Sequence, residues 1–217
     1  MFSLSEENYL KAIFHLQKNS EAGVSTNALA VEMQTKASSV TDMIKKLSEK
    51  KLVIYEKYRG VYLSETGRKT ALQIVRKHRL WEVFLVEKLG FSWDEVHEVA
   101  EELEHIKSEK LISELDKFLN YPKRDPHGDP IPDAKGHFQV ANKTLLSNLS
   151  KGEKGTLVGV KDSSSEFLKY LDKNAIALGK TIEVLDKEDF DGSMLIQLKE
   201  KSLRISPMVS SNIYIKI

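Results

Sequence analysis

Four of the chain's five prolines fall in one stretch, residues 120–138, NYPKRDPHGDPIPDAKGHF. No helix or central strand runs through that spacing, because each proline removes a backbone donor and restricts the residue before it. The stretch divides the 217 residues into two regimes. Upstream, apolar residues recur at helical spacing; downstream come short runs rich in Val and Ile. The expected class is mainly α with a small β part, in a chain long enough for separate cores.

Upstream, SLSEENYLKAIFHLQK opens with a capping box, Ser3 with Glu6 three residues on. A loop, EAGVS, leads to a short helix, TNALAVEMQ, then a turn and a second helix, SSVTDMIKKLSEKK. Residues 52–57 and 61–63 read as strands around Tyr58-Arg59-Gly60. Helix, short helix, turn, helix and hairpin make a winged helix-turn-helix, residues 1–72. A long helix from Thr66 to Leu89 and another from Trp93 to Leu119 follow, giving a helical domain over 73–140 whose proline-rich end is an extended connector. Strands in GEKGTLVGVKD, TIEVLDK, MLIQLKE, SLRIS and NIYIKI, with one helical piece, SEFLKYLDKN, predict a small β-barrel-like domain over 141–217.

Charge is distributed unevenly along a chain of net charge +1. Lys36 to Arg79 holds twelve Lys/Arg against four Asp/Glu, and Leu80 to Asn120 four against eleven. The basic block suits a polyanion and the acidic block a cation. A recognition helix presents its first turns to the major groove, and here those turns carry Lys36, Ser38, Ser39, Thr41 and Asp42, with Lys45 and Lys46 further on. Thr26 and Asn27 at the start of the shorter helix suit phosphate oxygens, and Tyr58 and Arg59 at the hairpin tip suit the DNA backbone or minor groove. Double-stranded DNA is the expected partner.

In the acidic block, HEVAEELEHI places His97, Glu101, Glu104 and His105 within about 100° of arc on a helix. A second pair, His78 and Glu82, lies one turn apart on the preceding helix. With no cysteine in the chain, disulfides and thiolate sites are excluded, and imidazole plus carboxylate suits manganese or ferrous iron. From periodicity alone, a solvated acidic face remains the alternative. A metalloenzyme is the competing class, but no separate general acid or base and no glycine-rich phosphate loop accompanies the cluster, so no enzymatic activity is expected. A third reading gives the C-terminal domain a partner-binding role. No signal peptide or apolar run of membrane-spanning length is visible, so a cytoplasmic protein is expected.

The stretches EENYLKAIFHL, SSVTDMIKKLSEKKLVIYEKYRGVYLSETGRK, RKHRLWEVFL, HEVAEELEHI and HGDPIP together resemble the diphtheria-toxin-repressor family of metal-dependent transcriptional regulators, over the whole chain. The resemblance implies a helical dimerisation and metal-binding domain and a C-terminal SH3-like β-barrel. It implies that Asn8, Glu101, Glu104 and His105 hold a primary regulatory metal, and that His78, Glu82 and His97, completed by Glu166, hold an ancillary one. Iron-type members carry Cys and Met where this chain has Glu101 and Asn8; manganese-type members carry Glu and Asp, which puts Mn2+ first and Fe2+ second. Lys11 stands where binuclear manganese regulators have a second carboxylate, and its ammonium repels a cation. The implied function is metal-dependent repression of metal-uptake genes by a homodimer reading a pseudo-palindromic operator. The metal would join the first helix, through Asn8, to the helix of Glu101 and His105. A winged-helix regulator with a purely structural metal is the variant reading.

Overall fold

The computed structural model describes residues 2–17, 23–139, 142–199 and 201–217; parts of the expected EAGVS loop and the expected boundary at 140 lie outside these. The chain forms two compact bodies, one of Met1–Trp81, Ala100–Leu115 and Pro132–Phe138, the other of Glu82–Val99, Asp116–Ile131 and Gln139–Ile217.

In the first body, α1 (Leu4–Gln17) begins at the capping box read from the sequence. The Ser3 amide donates to Glu6 Oε2 at 3.0 Å, and the Glu6 amide donates to Ser3 Oγ at 3.3 Å. Helix α2 (Thr26–Glu32) is capped by Ser25, whose Oγ accepts from the Ala28 amide. A turn with Gln34 at φ 47° leads into α3 (Ala37–Glu49). Val40, Ile44 and Leu47 repeat every three or four residues, so α3 buries one stripe against Leu10, Ile13, Phe14 and Leu29. The opposite stripe is left to solvent.

Strands β1 (Val53–Glu56) and β2 (Gly60–Leu63) pair antiparallel, Glu56 opposite Gly60. Val24 adds a bridge to Val61 on the other edge of the wing. Gly60 sits at φ +104°, and a Cβ there would lie 2.7 Å from the Val24 carbonyl oxygen; only glycine permits that approach. Helix α4 (Glu65–Leu89) closes this core with Ala71, Leu72 and Val75.

One expected helix is two. The segment from Trp93 to Leu119 forms α5 (Val96–Leu103) and α6 (Glu109–Phe118). Ser108 explains the break, since its hydroxyl accepts from the Leu111 amide and starts a new helix. Apolar periodicity alone does not register such an interruption.

In the second body, β3 (Thr144–Leu145), β4 (Lys154–Val160), β5 (Thr181–Lys187), β6 (Met194–Leu198), β7 (Lys201–Ile205) and β8 (Ile213–Lys216) form one antiparallel sheet. Their order is β3-β8-β4-β5-β6-β7. Helix α7 (Ser165–Lys173) packs Phe167, Leu168 and Leu171 on its apolar face, and α8 (Pro207–Ser210) leads into β8. The expected SH3-like domain is present, its barrel left open: among the described residues β3 and β7 are the edges of the sheet. No helix is long and apolar enough to cross a membrane among the described residues.

Candidate metal centre and DNA-reading face

On α3, Lys36, Ser38, Ser39, Thr41, Asp42, Lys45 and Lys46 are all exposed. The core stripe leaves these positions on the outward face, as a groove-reading helix requires. Lys46 has a second role. With Lys50 it flanks the buried Glu6 carboxylate, at 3.1 and 2.7 Å. Burial pushes Glu6 up, but the Lys50 and Lys46 ammonium groups and the capping-box amide outweigh it and bring its pKa down to about 2. On α2, Asn27 is exposed and Thr26 half-buried. At the wing tip Tyr58 projects into solvent at φ 69°, while Arg59 reaches back to Glu56 at 3.4 Å.

Glu104 is the centre of the first body's polar cluster and is fully buried. Its Oε2 meets His78 Nδ1 at 2.6 Å. Lys11 Nζ bonds Glu104 at 2.8 Å and Glu101 Oε1 at 2.8 Å. Oε1 of Glu104 is paired with the same ammonium by charge, at 2.8 Å, without hydrogen-bond geometry. His105 Nδ1 binds Glu7 Oε2 at 2.7 Å, and its Nε2 lies 3.9 Å from Glu104 Oε1. Asn8 Oδ1 is buried without a hydrogen-bond partner. The structure therefore sets two of the four residues assigned to a primary metal, Glu101 and Glu104, on the Lys11 ammonium, with His105 beside Glu104. A divalent ion does not fit this donor set as it stands, because both carboxylates already hold a cation and Asn8 offers one neutral oxygen.

Of the residues assigned to an ancillary site, His78 and Glu82 lie one turn apart on α4, and with His97 they offer ligand atoms within 4.8 Å of one another. His78 belongs to the first body and is engaged by Glu104; Glu82 and His97 belong to the second. Glu166 is exposed on the first turn of α7 and belongs to no metal-capable group among the described residues. Glu82 also joins residues that the sequence reading passed over as connector. Ligand atoms of Glu82, Asp125 and His127 all lie within 4.8 Å of one another, and all three residues are buried. Glu82 Oε1 lies 3.6 Å from His127 Nδ1 and 3.7 Å from His97 Nδ1.

The connector is a folded loop. Asp125 Oδ1 accepts from the amides of His127 and Asp129, each at 2.9 Å, and the Asp125 carbonyl accepts from the Gly128 amide. The loop is sealed against β4, where the Val160 amide donates to the His127 carbonyl at 3.0 Å. Gly128 at φ +88° is obligatory, since a Cβ there would lie 2.1 Å from the Val158 carbonyl oxygen.

His127 Nε2 lies 2.7 Å from the Trp93 carbonyl oxygen, which only accepts, so Nε2 carries the proton and Nδ1 faces Glu82. The Trp93 ring stacks on the imidazole with 13° between planes, and its Nε1 donates to Asp172. Burial pushes the His127 pKa down, but the Glu82 hydrogen bond and the Glu82 and Asp125 charges overcome it and raise the value to about 9. A buried group of two carboxylates and one imidazole whose tautomer is held by a backbone carbonyl fits a hard or borderline divalent ion. The signal was present in DPHGD, where Asp and His recur at alternate positions, but its proline content read as connector.

A winged helix with an exposed recognition face, in a chain that also builds buried carboxylate–imidazole clusters, is the architecture of metal-responsive regulators. Residues 1–61 match the iron dependent repressor N-terminal DNA binding domain, residues 64–133 the iron dependent repressor metal binding and dimerisation domain, and residues 144–217 the FeoA domain. The chain belongs to the iron-dependent, or diphtheria toxin, repressor family, a family of transcriptional repressors and not of enzymes.

Iron-dependent repressor IdeR of Mycobacterium tuberculosis is 33% identical over 126 residues, 58% of this chain and 54% of that protein. The chain thus matches about half the length of this relative. Diphtheria toxin repressor of Corynebacterium diphtheriae is 25% identical over 193 residues, 84% of each chain. A solved manganese-dependent transcriptional repressor in complex with manganese is similar over 97% of this chain and 98% of its own, with 36% identity and a TM-score of 0.88.

Proposed function

We propose that this chain is a metal-dependent DNA-binding transcriptional repressor, acting in the cytoplasm, whose responding ion is held by Glu82, Asp125 and His127. The observation that carries the reading is the convergence of those three buried side chains within 4.8 Å of one another. A divalent ion bound there supplies the positive charge that lets two carboxylates and an imidazole share one buried space. His127 contributes Nδ1 and releases its proton, Glu82 and Asp125 contribute carboxylate oxygens, and His97, exposed beside Glu82, is the next donor in reach. Two oxygens and one nitrogen with no sulfur favour Mn2+ first and Fe2+ second.

The exposed stripe of α3 reads the operator. Leu89, Phe118 and Tyr121 are large apolar side chains left exposed in the second body, and supply surface for a homodimer whose two recognition helices meet the half-sites of a pseudo-palindrome. The repressed genes are those of metal uptake, so that occupancy of the ion site lowers further import.

The experiment is selection of genomic DNA fragments by the purified protein with Mn2+, with Fe2+ under anaerobic conditions, and with chelator, repeated for His127→Ala. Recovery of a palindrome by the wild-type chain only with metal, lost in His127→Ala, is the expected result. Equal recovery in chelator would reduce any bound ion to a structural role, and a wild-type response retained in His127→Ala would move the ion elsewhere.

A further inference from the structure

We propose that the ammonium of Lys11 is a resident cation, which ties α1 of the winged helix to α5 without any metal and sets the number of ions this chain takes. Lys11 Nζ lies 2.8 Å from Glu101 Oε1 and 2.8 Å from Glu104, bridging two carboxylates one turn apart on and just after α5. Lys11 is largely buried and Glu104 wholly so. Two carboxylates converging in such a space require a counter-charge, and the ammonium supplies it from within the chain.

The neighbouring contacts strengthen the same tie. On α1, Glu7 holds His105 at 2.7 Å, and just before α1 the Phe2 carbonyl accepts from Lys107 Nζ at 3.2 Å. His78 Nδ1 lies 2.6 Å from Glu104 Oε2. Thus Glu7, Lys11, His78, Glu101, Glu104 and His105 form one network of three carboxylates and three nitrogen groups. A divalent ion entering it would have to stand beside the ammonium, which like charge opposes, or displace it, which breaks both of its ion pairs.

Lys11 is therefore a specificity-determining residue: it closes one cation position, whichever other residues hold the divalent ion. This goes beyond the functional reading above and does not depend on which ion or operator is used.

Equilibrium dialysis with Mn2+ tests the stoichiometry on the full chain, comparing wild type with Lys11→Glu. Lys11→Glu is expected to bind one more Mn2+ per chain than wild type. Amide hydrogen exchange in chelator tests the tie: α1 amides of Lys11→Ala should exchange roughly ten-fold or more faster than wild type, and Lys11→Arg should restore protection. Unchanged exchange at α7 and the β4–β8 sheet serves as the control for a folded chain. Equal stoichiometry in wild type and Lys11→Glu, or unchanged α1 exchange in Lys11→Ala, would overturn the proposal. His127→Ala should leave the Lys11-dependent protection of α1 intact, so failure of the Glu82 site and failure of this inference give different results.

Discussion

His127 is held between a carbonyl that needs its proton on Nε2 and a carboxylate that draws a second proton to Nδ1. In the metal-free protein its pKa of about 9 lies above the ordinary 6.5 of an unfolded histidine. The stabilisation this represents is on the order of 3 kcal/mol. It is fully present below pH ~6.5 and is lost as pH rises through about 9. Denaturant unfolding of the metal-free chain across that window should show the loss, and His127→Gln should flatten it. An ion at the same cluster must displace that proton, so Mn2+ binding at pH 7.5 should release close to one proton. Calorimetry in two buffers of different ionisation enthalpy measures it, and no buffer dependence would place the ion away from His127. Gly128→Ala should cost about 2 kcal/mol or more, because its Cβ collides with the Val158 carbonyl at a left-handed backbone position. The same substitution should weaken Mn2+ affinity by distorting the Asp125 loop.

At the scale of the element, α1 and α3 show how one sequence signal serves two ends. The Ser3–Glu6 box starts α1, and Glu6 is also the buried anion to which Lys46 and Lys50 of the α3 region are tied. Ser3→Ala should cost ~1 kcal/mol of stability. Glu6, depressed to about 2, contributes stability that is complete above its ordinary 4.5 and disappears as pH falls towards 2. Glu6→Gln should therefore destabilise the chain at neutral pH and make little difference in strong acid, as acid titration followed by circular dichroism would show. Lys45 is exposed and has no such structural tie, so Lys45→Ala should reduce the salt slope of operator binding by about 1 with the fold unchanged. Lys46→Ala should lower both stability and DNA affinity, and comparing the two lysines separates footprint from scaffold.

For the whole molecule, much of the architecture was legible along the chain. The winged helix followed from short apolar repeats and a hairpin signal, and the capping box named the residue at which α1 begins. The family resemblance rested on several stretches that local reading also explained. What local pattern did not show was the break between α5 and α6, because Ser108 interrupts a helix without interrupting apolar spacing. Nor did it show the open edges of the sheet, since strand lengths do not state which strands fail to pair. The site divides along the same line. Glu101, Glu104 and His105 were visible because helical spacing groups them, although α5 ends at Leu103 and Glu104 and His105 lie in the turn after it. Glu82, Asp125 and His127 come from a helix and a distant loop, and nothing in their spacing announces that they meet.

The sequence alone therefore determined the order of elements, the exposed basic face of α3, and the supply of carboxylates and imidazoles without thiolates. These depend on periodicity and residue chemistry, which are local. Only the tertiary structure decided which of those groups come together. Lys11 is paired because α1 is brought against the end of α5, and the Asp125 loop meets Glu82 because Gly128 lets it lie against β4. Both are consequences of packing between segments far apart in the chain, where charge must be matched wherever water is excluded.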